Sequence, residues 1–308
     1  MSKISGYTCL VFLVILPSVL LAQGKESWLS QQPFSHLDPA PYDPQTDPDI
    51  DMYISHWKNA IPRITLGNLI IYDILTKCDG DVLHPTKKGA VLHYIERISY
   101  ATLEAGQSTT PDMLKTAQDI LYITSGKGTI KAGNRIADLK SDVGVLLPPG
   151  LNFIITNTGD EPLSMFIIGE SLPKGFIPNT EIIVRDERTI PLVNIPGHWA
   201  HVPKSLFWQE DHNTAIFIGI NPVWIDPMTM SQPHSHQPGV EEVWLSLEGE
   251  ADILLGKQIR RFTPGMAMRI PPTGNTPHST INIGDKPIKI MWMMRIPTYR
   301  GMSPLNVD

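Results

Sequence analysis

Short apolar runs separated by turn residues dominate the chain from residue 64 onward. The runs are rich in Val, Ile, Leu and Tyr, and Gly, Pro, Asn and Asp stand between them, as is typical of β-strands. No stretch keeps the period of about 3.6 residues that an amphipathic helix requires. The pattern therefore predicts an all-β protein. The predicted strands fall at residues 64–75, 89–104, 119–124, 129–132, 143–147, 154–156, 214–220, 242–247, 251–255, 267–270 and 288–294.

The first 22 residues have the pattern of a cleaved export signal rather than of a folded segment. Lys3 precedes an apolar run over residues 9–16, a Pro-Ser pair breaks the run, and Ala22 before Gln23 provides a signal-peptidase site. A membrane anchor would need about 20 uninterrupted apolar residues. We therefore expect removal of residues 1–22, a periplasmic or secreted location, and no membrane association of the mature chain.

Composition argues against a nucleic-acid partner and against an internal disulfide bond. The formal net charge is −6, the isoelectric point is about 5.9 and there is no block of Lys and Arg, which argues against nucleic acid as a partner. Of the two cysteines, Cys9 lies in the export signal, so the mature chain keeps only Cys78 and forms no internal disulfide. Residues 23–62 are polar and proline-rich and are predicted to form an irregular arm.

An internal repeat divides the rest of the chain. The sequence NTGDEPL at residue 157 recurs as NIGDKPI at residue 282, and residues 119–128 recur at 242–251. A repeat of about 120 residues is a whole domain rather than a solenoid unit, so we predict two tandem β domains. The predicted organisation is an export signal at 1–22, an arm at 23–62, a first barrel at 63–189, a linker at 190–213 and a second barrel at 214–308.

Potential metal ligands concentrate in the second copy. His234 and His236 are two residues apart, so on an extended strand both imidazoles point to the same face. Glu242 follows a Gln-Pro-Gly turn at the start of the next predicted strand, and His278 follows another turn-rich segment. Three imidazoles and one carboxylate suit one divalent transition metal, and the set does not select among Mn, Fe, Co, Ni, Cu and Zn.

These residues lie in two segments that resemble the signature motifs of the cupin superfamily. The first, HSHQPGVEEVWLSLEG, begins at His234, and the second, GMAMRIPPTGNTPHSTIN, ends at Asn282. The resemblance implies a small antiparallel jelly-roll barrel, and because of the repeat the whole chain resembles a bicupin, with two tandem cupin-type jelly-roll barrels. Carried over to this sequence, the metal ligands that the resemblance implies are His234, His236, Glu242 and His278.

The motif leaves two candidates for the carboxylate. Glu241 keeps the family's spacing to His236, whereas Glu242 keeps the spacing to Gly249. We favour Glu242 because the segment from Glu to Gly is a predicted strand, where a slip by one residue would reverse the facing of every side chain. The preceding turn can take the extra residue. The apolar residues that alternate with Glu241 would then pack against other strands.

The first copy lacks these ligands. Alignment of Asn157 with Asn282 places Phe153 at the position of His278, and Asp119 stands at the position of Glu242. The first barrel is therefore predicted to hold no metal site of this kind. It would serve as a structural element, a dimerisation element or a wall of the pocket.

The resemblance implies a metal-dependent enzyme that acts on a small organic molecule, and dioxygenase-like oxidation is the activity that we favour. Isomerisation or ring opening of a sugar acid is one alternative, and a non-catalytic, metal-stabilised barrel that binds a ligand is another. Glu242 could also exchange protons and so be catalytic. From the resemblance we expect a monomer or a low homo-oligomer. The residues expected to line the substrate pocket are Trp244, Ser246, Met268, Trp292 and Met294.

Overall fold

The structure is a computed structural model, and it describes residues 40–193 and 200–296. The predicted export signal, residues 23–39 of the predicted arm and residues 194–199 of the predicted linker lie outside the described residues. In the described ranges, no helix is both long and apolar enough to cross a membrane.

β-Strands make up most of the described chain, which confirms the all-β prediction. The helices are short, with 3₁₀ turns at Ile50–Met52, Trp57–Asn59 and Glu187–Thr189 and one α-helix at Gln209–His212. In chain order, the strands are β1 (Ile54–His56), β2 (Pro62–Thr65), β3 (Leu69–Lys77), β4 (Ala90–Leu92), β5 (Ile95–Leu103), β6 (Asp112–Met113), β7 (Ala117–Ser125), β8 (Lys127–Ala132), β9 (Arg135–Lys140), β10 (Val143–Leu147), β11 (Asn152–Asn157), β12 (Leu163–Ser171), β13 (Ile183–Asp186), β14 (His201–Pro203), β15 (Phe207–Trp208), β16 (Gly219–Ile225), β17 (Thr229–Met230), β18 (Glu241–Glu248), β19 (Ala251–Leu255), β20 (Gln258–Phe262), β21 (Met266–Arg269), β22 (His278–Asn282) and β23 (Ile288–Arg295).

The strands form two jelly-roll barrels, each built from one large and one small sheet. In the first barrel the large sheet has the order β13-β10-β7-β12-β5-β3-β2, with β4 beside β3, and the small sheet has the order β6-β11-β8-β9. In the second barrel the large sheet has the order β1-β21-β18-β23-β16-β14, with β15 beside β16, and the small sheet has the order β17-β22-β19-β20.

The structure reproduces the internal repeat at the level of hydrogen bonds. In both Asn157 and Asn282 the side-chain amide donates to the carbonyl four residues ahead at 2.8 Å, and the N–H two residues ahead donates to the Asn Oδ1 at 3.0 Å. Strand register then places Asp119 opposite the residue twelve positions after Asn157, and Glu242 opposite the residue twelve positions after Asn282. Asp119 and Glu242 therefore occupy equivalent positions, as the sequence repeat predicts.

Parts of the predicted arm and linker belong to the second barrel. Strand β1, within the predicted irregular arm, pairs antiparallel with β21, and Ile50 and Ile54 are buried in the core of that barrel. Strands β14 and β15, within the predicted linker, pair with β16. The structure thus differs from the predicted irregular arm over residues 50–59, because a few apolar residues in this proline-rich segment gain enough burial to order it.

The two large sheets pack against each other through one apolar core. This core contains Ile98, Ile120 and Phe166 from the first barrel and Val243 and Met291 from the second, all buried. The two faces of β18 therefore have different neighbours, since one face contacts the first barrel and the other faces the interior of the second. The apolar residues that alternate with Glu241, such as Val243 and Leu245, lie on the face that contacts the first barrel.

Two buried carboxylates connect the barrels, one from each barrel. Glu241 accepts hydrogen bonds of 2.7–3.0 Å from the backbone N–H groups of residues 93–95 in the first barrel. The guanidinium of Arg269 lies 3.4 Å from the same carboxylate. In the opposite direction, Glu170 of the first barrel accepts bonds of 3.0 and 3.2 Å from the N–H groups of residues 216 and 217. Each barrel thus satisfies backbone donors of the other.

Lys289 makes a third connection. Its buried ammonium donates to Asp142 at 2.8 Å and to the hydroxyl of Tyr122 at 2.9 Å, and it lies 2.9 Å from the carboxylate of Glu187. Burial lowers the pKa of Lys289, but the two carboxylates outweigh this effect and raise the pKa above its usual value. The lysine of the second barrel therefore stays charged and paired with the first.

We expect the substitution Glu241→Gln to lower the free energy of unfolding by about 3 kcal/mol. The amide would offer one acceptor oxygen to three N–H groups and would leave the buried Arg269 without its ion pair. Urea unfolding followed by tryptophan fluorescence measures the loss. Glu104→Gln, on an exposed residue of the first barrel, is the control and should change the free energy by less than about 0.5 kcal/mol. Equal effects of both substitutions would contradict a stabilising role for the Glu241 contacts.

Candidate metal centre

Three chain segments bring the predicted ligands together. His234 and His278 face each other in an isolated antiparallel bridge, in which the N–H of His278 donates to the carbonyl of His234 at 2.9 Å. His236 follows two residues later on the same extended segment, and Glu242 stands at the second position of β18. The spacing of two residues keeps both imidazoles of the first segment on one side, as predicted from the His-Ser-His sequence.

The four side chains form a compact cluster. One potential ligand atom from each of His234, His236, Glu242 and His278 lies within 4.8 Å of all the others. The imidazole centroids are 4.3–4.9 Å apart, Glu242 Oε2 lies 3.4 Å from His278 Nε2, and the same oxygen is in direct contact with His236 Nε2. Among the described residues, no other group of three or more His, Cys, Asp or Glu is arranged in this way.

The donor set fits a divalent transition metal. The Nδ1 atoms of His234 and His278 lie 2.9 and 3.4 Å from backbone carbonyls, which leaves their Nε2 atoms as the ligand atoms. His236 Nε2, His278 Nε2 and Glu242 Oε2 are buried and make no well-formed hydrogen bond with the described residues. Buried polar atoms normally have a partner, and a metal ion bound to nitrogen and oxygen atoms would provide one.

Electrostatics favours the protonation states that a metal requires. Burial, with a contribution from His278, lowers the pKa of His234 to about 4, so its imidazole is neutral near pH 7. Burial raises the pKa of Glu242, but His278 and His236 outweigh burial and hold the pKa well below its usual value. For His236, burial lowers the pKa, and the Glu242 carboxylate overcomes this and raises it. Glu242 is therefore anionic, and metal binding would displace any proton held by His236.

The structure distinguishes the two glutamates. Glu242 points to the histidines, whereas Glu241 points to the opposite face of β18 and bonds to the first barrel. The preference for Glu242 thus agrees with the geometry. Sequence spacing alone left the choice open because the extra residue lies in the turn before the strand.

Two indole groups fix the orientation of Glu242. Trp244 Nε1 donates to Glu242 Oε1 at 2.5 Å, and Trp292 Nε1 donates to the same oxygen at 2.8 Å. With both indoles bound to Oε1, the other oxygen, Oε2, is the one that faces the histidines. Glu242 is therefore arranged to bind a metal through one oxygen. Both tryptophans are among the predicted pocket residues, but their bonds to Glu242 were not predicted, since Trp292 is 50 residues away from Glu242 in the chain.

A cavity of about 330 Å³ adjoins the cluster and is bordered by His234, His236 and Glu242. Apart from the cluster, its walls are apolar or aromatic, and the polar exceptions among the lining residues are His201 and Asn221. No Lys or Arg belongs to this described lining. The volume is at the lower end of the range for sites that bind small organic molecules.

Three of the five predicted pocket residues line this cavity, namely Trp244, Trp292 and Met294. The other two do not. Met268 is fully buried in the apolar core of the second barrel, opposite Trp244 in the neighbouring strand. Ser246 is buried on the same strand, two residues beyond Trp244, and does not line the cavity.

Sequence reasoning missed two lining residues of special interest, Asn221 and Trp208. Asn221 is a polar residue within the buried, otherwise apolar strand β16, and this was the signal that could have identified it. Trp208 lies over Gly219, where an added Cβ would be only 2.5 Å from the indole ring. Only glycine at this position leaves room for the tryptophan that forms one wall.

The first barrel has no equivalent cluster among its described residues. Phe153 pairs with Asp112 in the small sheet, as His278 pairs with His234 in the second barrel. Asp119, at the position of Glu242, forms a buried pair with Arg97, whose guanidinium donates to it at 2.5 Å. Burial raises the pKa of Asp119 despite this partner. An aromatic ring and an ion pair thus occupy the positions of the metal ligands.

Comparison with known families finds one match, and it lies in the second barrel. The sequence profile described as "Cupin domain" matches residues 223–294, which contain all four residues of the cluster. No curated protein sequence matches the chain.

Several solved structures are similar to both barrels together. A protein of Pseudomonas aeruginosa described as glyoxylate-induced has a TM-score of 0.65 and 14% identity, over 84% of this chain and 94% of that one. Oxalate decarboxylase of Lactobacillus farciminis, solved as a formate complex, has a TM-score of 0.60 and 15% identity, over 80% and 87%. Oxalate decarboxylase of Bacillus subtilis, with Mn(II) centres, has a TM-score of 0.58 and 12% identity, over 80% and 78%. At these identities the likeness establishes a common two-barrel fold.

Loss of either indole donor is expected to weaken metal binding by about tenfold or more, because second-shell hydrogen bonds hold a ligand in its binding orientation. The variants are Trp244→Phe and Trp292→Phe, and competition with a chelator gives the dissociation constant for Zn²⁺. Trp208→Phe is the control, since its indole lines the same cavity without bonding to Glu242. Equal Zn²⁺ affinity in all three variants and the parent protein would show that the indoles do not position the carboxylate.

Proposed function

We propose that this chain, which belongs to the cupin superfamily and has two tandem cupin barrels, is a metal-dependent enzyme that acts on a small organic molecule in the second barrel. The observation that carries the proposal is the buried cluster of three histidines and Glu242 at the wall of a cavity. A purely structural metal site is usually closed by protein ligands, whereas a catalytic one keeps access for a further ligand. Here three residues of the cluster border the cavity directly.

A bound divalent transition metal would supply Lewis acidity, or a binding site for dioxygen if the metal is redox-active. His234, His236, His278 and Glu242 would hold it. The apolar walls would exclude water from the reacting molecule, and the two indoles would keep Glu242 in one orientation. The low pKa of Glu242 and the two hydrogen bonds that it accepts from the indoles support a role as a ligand rather than as a proton donor or acceptor.

Among the candidate reactions, we favour dioxygenase-like oxidation, in which one O₂ adds to one substrate molecule and both oxygen atoms enter the product without an external reductant. Isomerisation or ring opening of a sugar acid would need polar partners for several hydroxyl groups and a cation for the carboxylate. The described lining offers His201 and Asn221 and no Lys or Arg. For an oxalate dianion, the substrate named for two of the similar structures, the bound metal would be the only cation among the described lining residues.

Metal content is the first test of this proposal. We expect about one transition metal ion per chain in the parent protein, and at least about a hundredfold weaker binding in Glu242→Gln, which loses the anionic ligand. Glu248→Gln, on an exposed residue of the same strand, is the matched control and should bind the metal normally. Mass spectrometry of the purified and reconstituted proteins measures the content. No bound metal after reconstitution would refute the enzyme as proposed.

Oxygen uptake then tests the reaction. The iron-, copper- and nickel-loaded proteins should consume O₂ in the presence of a suitable neutral, apolar substrate, with one O₂ used per product formed, and should be inactive under argon. A protein that binds metal and ligand tightly but gives no product in air or argon would instead support a non-catalytic ligand-binding barrel.

We also propose that the protein is exported, on the basis of the signal pattern in residues 1–22. The mature chain recovered from the producing cell should then begin at Gln23, as measured by mass spectrometry of its amino-terminal peptide. A chain that keeps Met1 in the cytoplasm would contradict export.

A further inference from the structure

We propose that Asn221 is the polar anchor of this cavity and that the cavity takes a neutral, largely apolar molecule with a hydroxyl or N–H donor that bonds to the Asn221 side chain. This inference deepens the proposed function, on which it rests for the position of the ligand beside the metal cluster. Nothing in the comparisons assigns a role to Asn221.

The first observation is an unsatisfied acceptor. Asn221 is only 1% exposed, and its Oδ1 is buried without a hydrogen-bond partner among the described residues. An unpaired buried carbonyl oxygen is unfavourable by an amount comparable to a lost hydrogen bond. Because the residue lines the cavity, a small rotation of its side chain would turn this oxygen toward a molecule in the cavity, and such a molecule would satisfy the oxygen if it carries a donor.

The second observation is the place of Asn221 relative to the cluster. Asn221 on β16 pairs with Trp292 on β23, and Trp292 pairs with Trp244 on β18. All three side chains line the cavity, and the two tryptophans bond to Glu242. Asn221, Trp292 and Trp244 thus form one row across the sheet. The two tryptophans of this row orient Glu242. A molecule that contacts this row can reach Asn221 and the metal cluster at once.

The third observation concerns charge and shape. The lining has no Lys or Arg among its described residues, and the carboxylate of Glu242 is already paired with the histidines and indoles. An anionic ligand would gain no cationic side chain in this lining and could pair only with a bound metal, whereas a neutral ligand needs no counter-ion. The indoles of Trp208, Trp244 and Trp292 offer aromatic surface, which favours flat apolar molecules.

Binding of four simple probes tests the inference without any need for turnover. Phenol has a hydroxyl donor, anisole has the same ring without the donor, acetophenone carries only an acceptor, and benzoate carries a negative charge. Their dissociation constants are measured by calorimetry on the Zn²⁺-loaded protein for the three neutral probes and on the metal-free protein for all four, because a bound Zn²⁺ ion would itself coordinate benzoate. We expect phenol to bind about tenfold more tightly than anisole, and acetophenone and benzoate to bind more weakly than phenol.

The variants assign this preference to one residue. In Asn221→Leu, which keeps the volume but removes the acceptor, phenol and anisole should bind with nearly equal affinity. Asn221→Ala is the second variant. Its enlarged cavity affects phenol and anisole alike, so the ratio of their dissociation constants reports the loss of the acceptor. Val223→Ala, on the same strand and in the same lining, is the matched control and should keep the preference for phenol. Thermal unfolding verifies that each variant is folded.

The results separate failure of the inference from failure of the proposed function. The inference is wrong if phenol has no advantage in the parent protein, if its advantage persists in both Asn221 variants, if acetophenone or benzoate binds more tightly, or if no probe binds up to its solubility. A protein that shows the expected preferences but neither binds metal nor gives a product would retain the ligand class and refute the enzyme.

Discussion

The structure depends on one strand, β18, that is buried on both faces. Its first two residues are glutamates, and the alternation of side chains along a strand sends them in opposite directions. Glu241 bonds to backbone donors of the first barrel, and Glu242 faces the histidines of the second. A shift of β18 by one residue would place Val240 at the position of Glu241 or Val243 at the position of Glu242, so the polar groups at that position would lose their carboxylate. The interface between the barrels and the metal cluster therefore specify the same register.

This arrangement gives the first barrel a physical role although it has lost the ligands. Residues 93–95 present three N–H groups to Glu241, and the apolar core between the sheets holds Val243 and Leu245. Both contacts fix the position of β18 from the side opposite to the cavity. Asp119, at the position equivalent to Glu242, pairs instead with Arg97. The first barrel thus supports the strand that carries Glu242.

Local sequence patterns predict part of the fold and part of the candidate site. The repeated turn around Asn157 and Asn282, the alternation of apolar residues and the His-Ser-His segment each depend on residues that are neighbours in sequence. Strands β1, β14 and β15 were not predicted, because they are short and are ordered by pairing with distant strands. For the same reason the sequence indicated that Trp244 and Trp292 face the cavity but not that they share one oxygen of Glu242. The unpaired oxygen of Asn221 emerges only when the surrounding strands are in place.

The row formed by Trp244, Trp292 and Asn221 also connects ligand binding to the metal cluster. The indole rings are a wall of the cavity, while their N–H groups hold Glu242. A ligand that presses on the rings therefore acts on the groups that orient the carboxylate, so occupancy of the cavity and geometry of the cluster are coupled through two hydrogen bonds. By linkage, a metal that draws Glu242 into one orientation must in turn favour the ligands that fit the rings in that position. Under the proposed function, selectivity for the organic molecule and affinity for the metal would thus both depend on these two indoles.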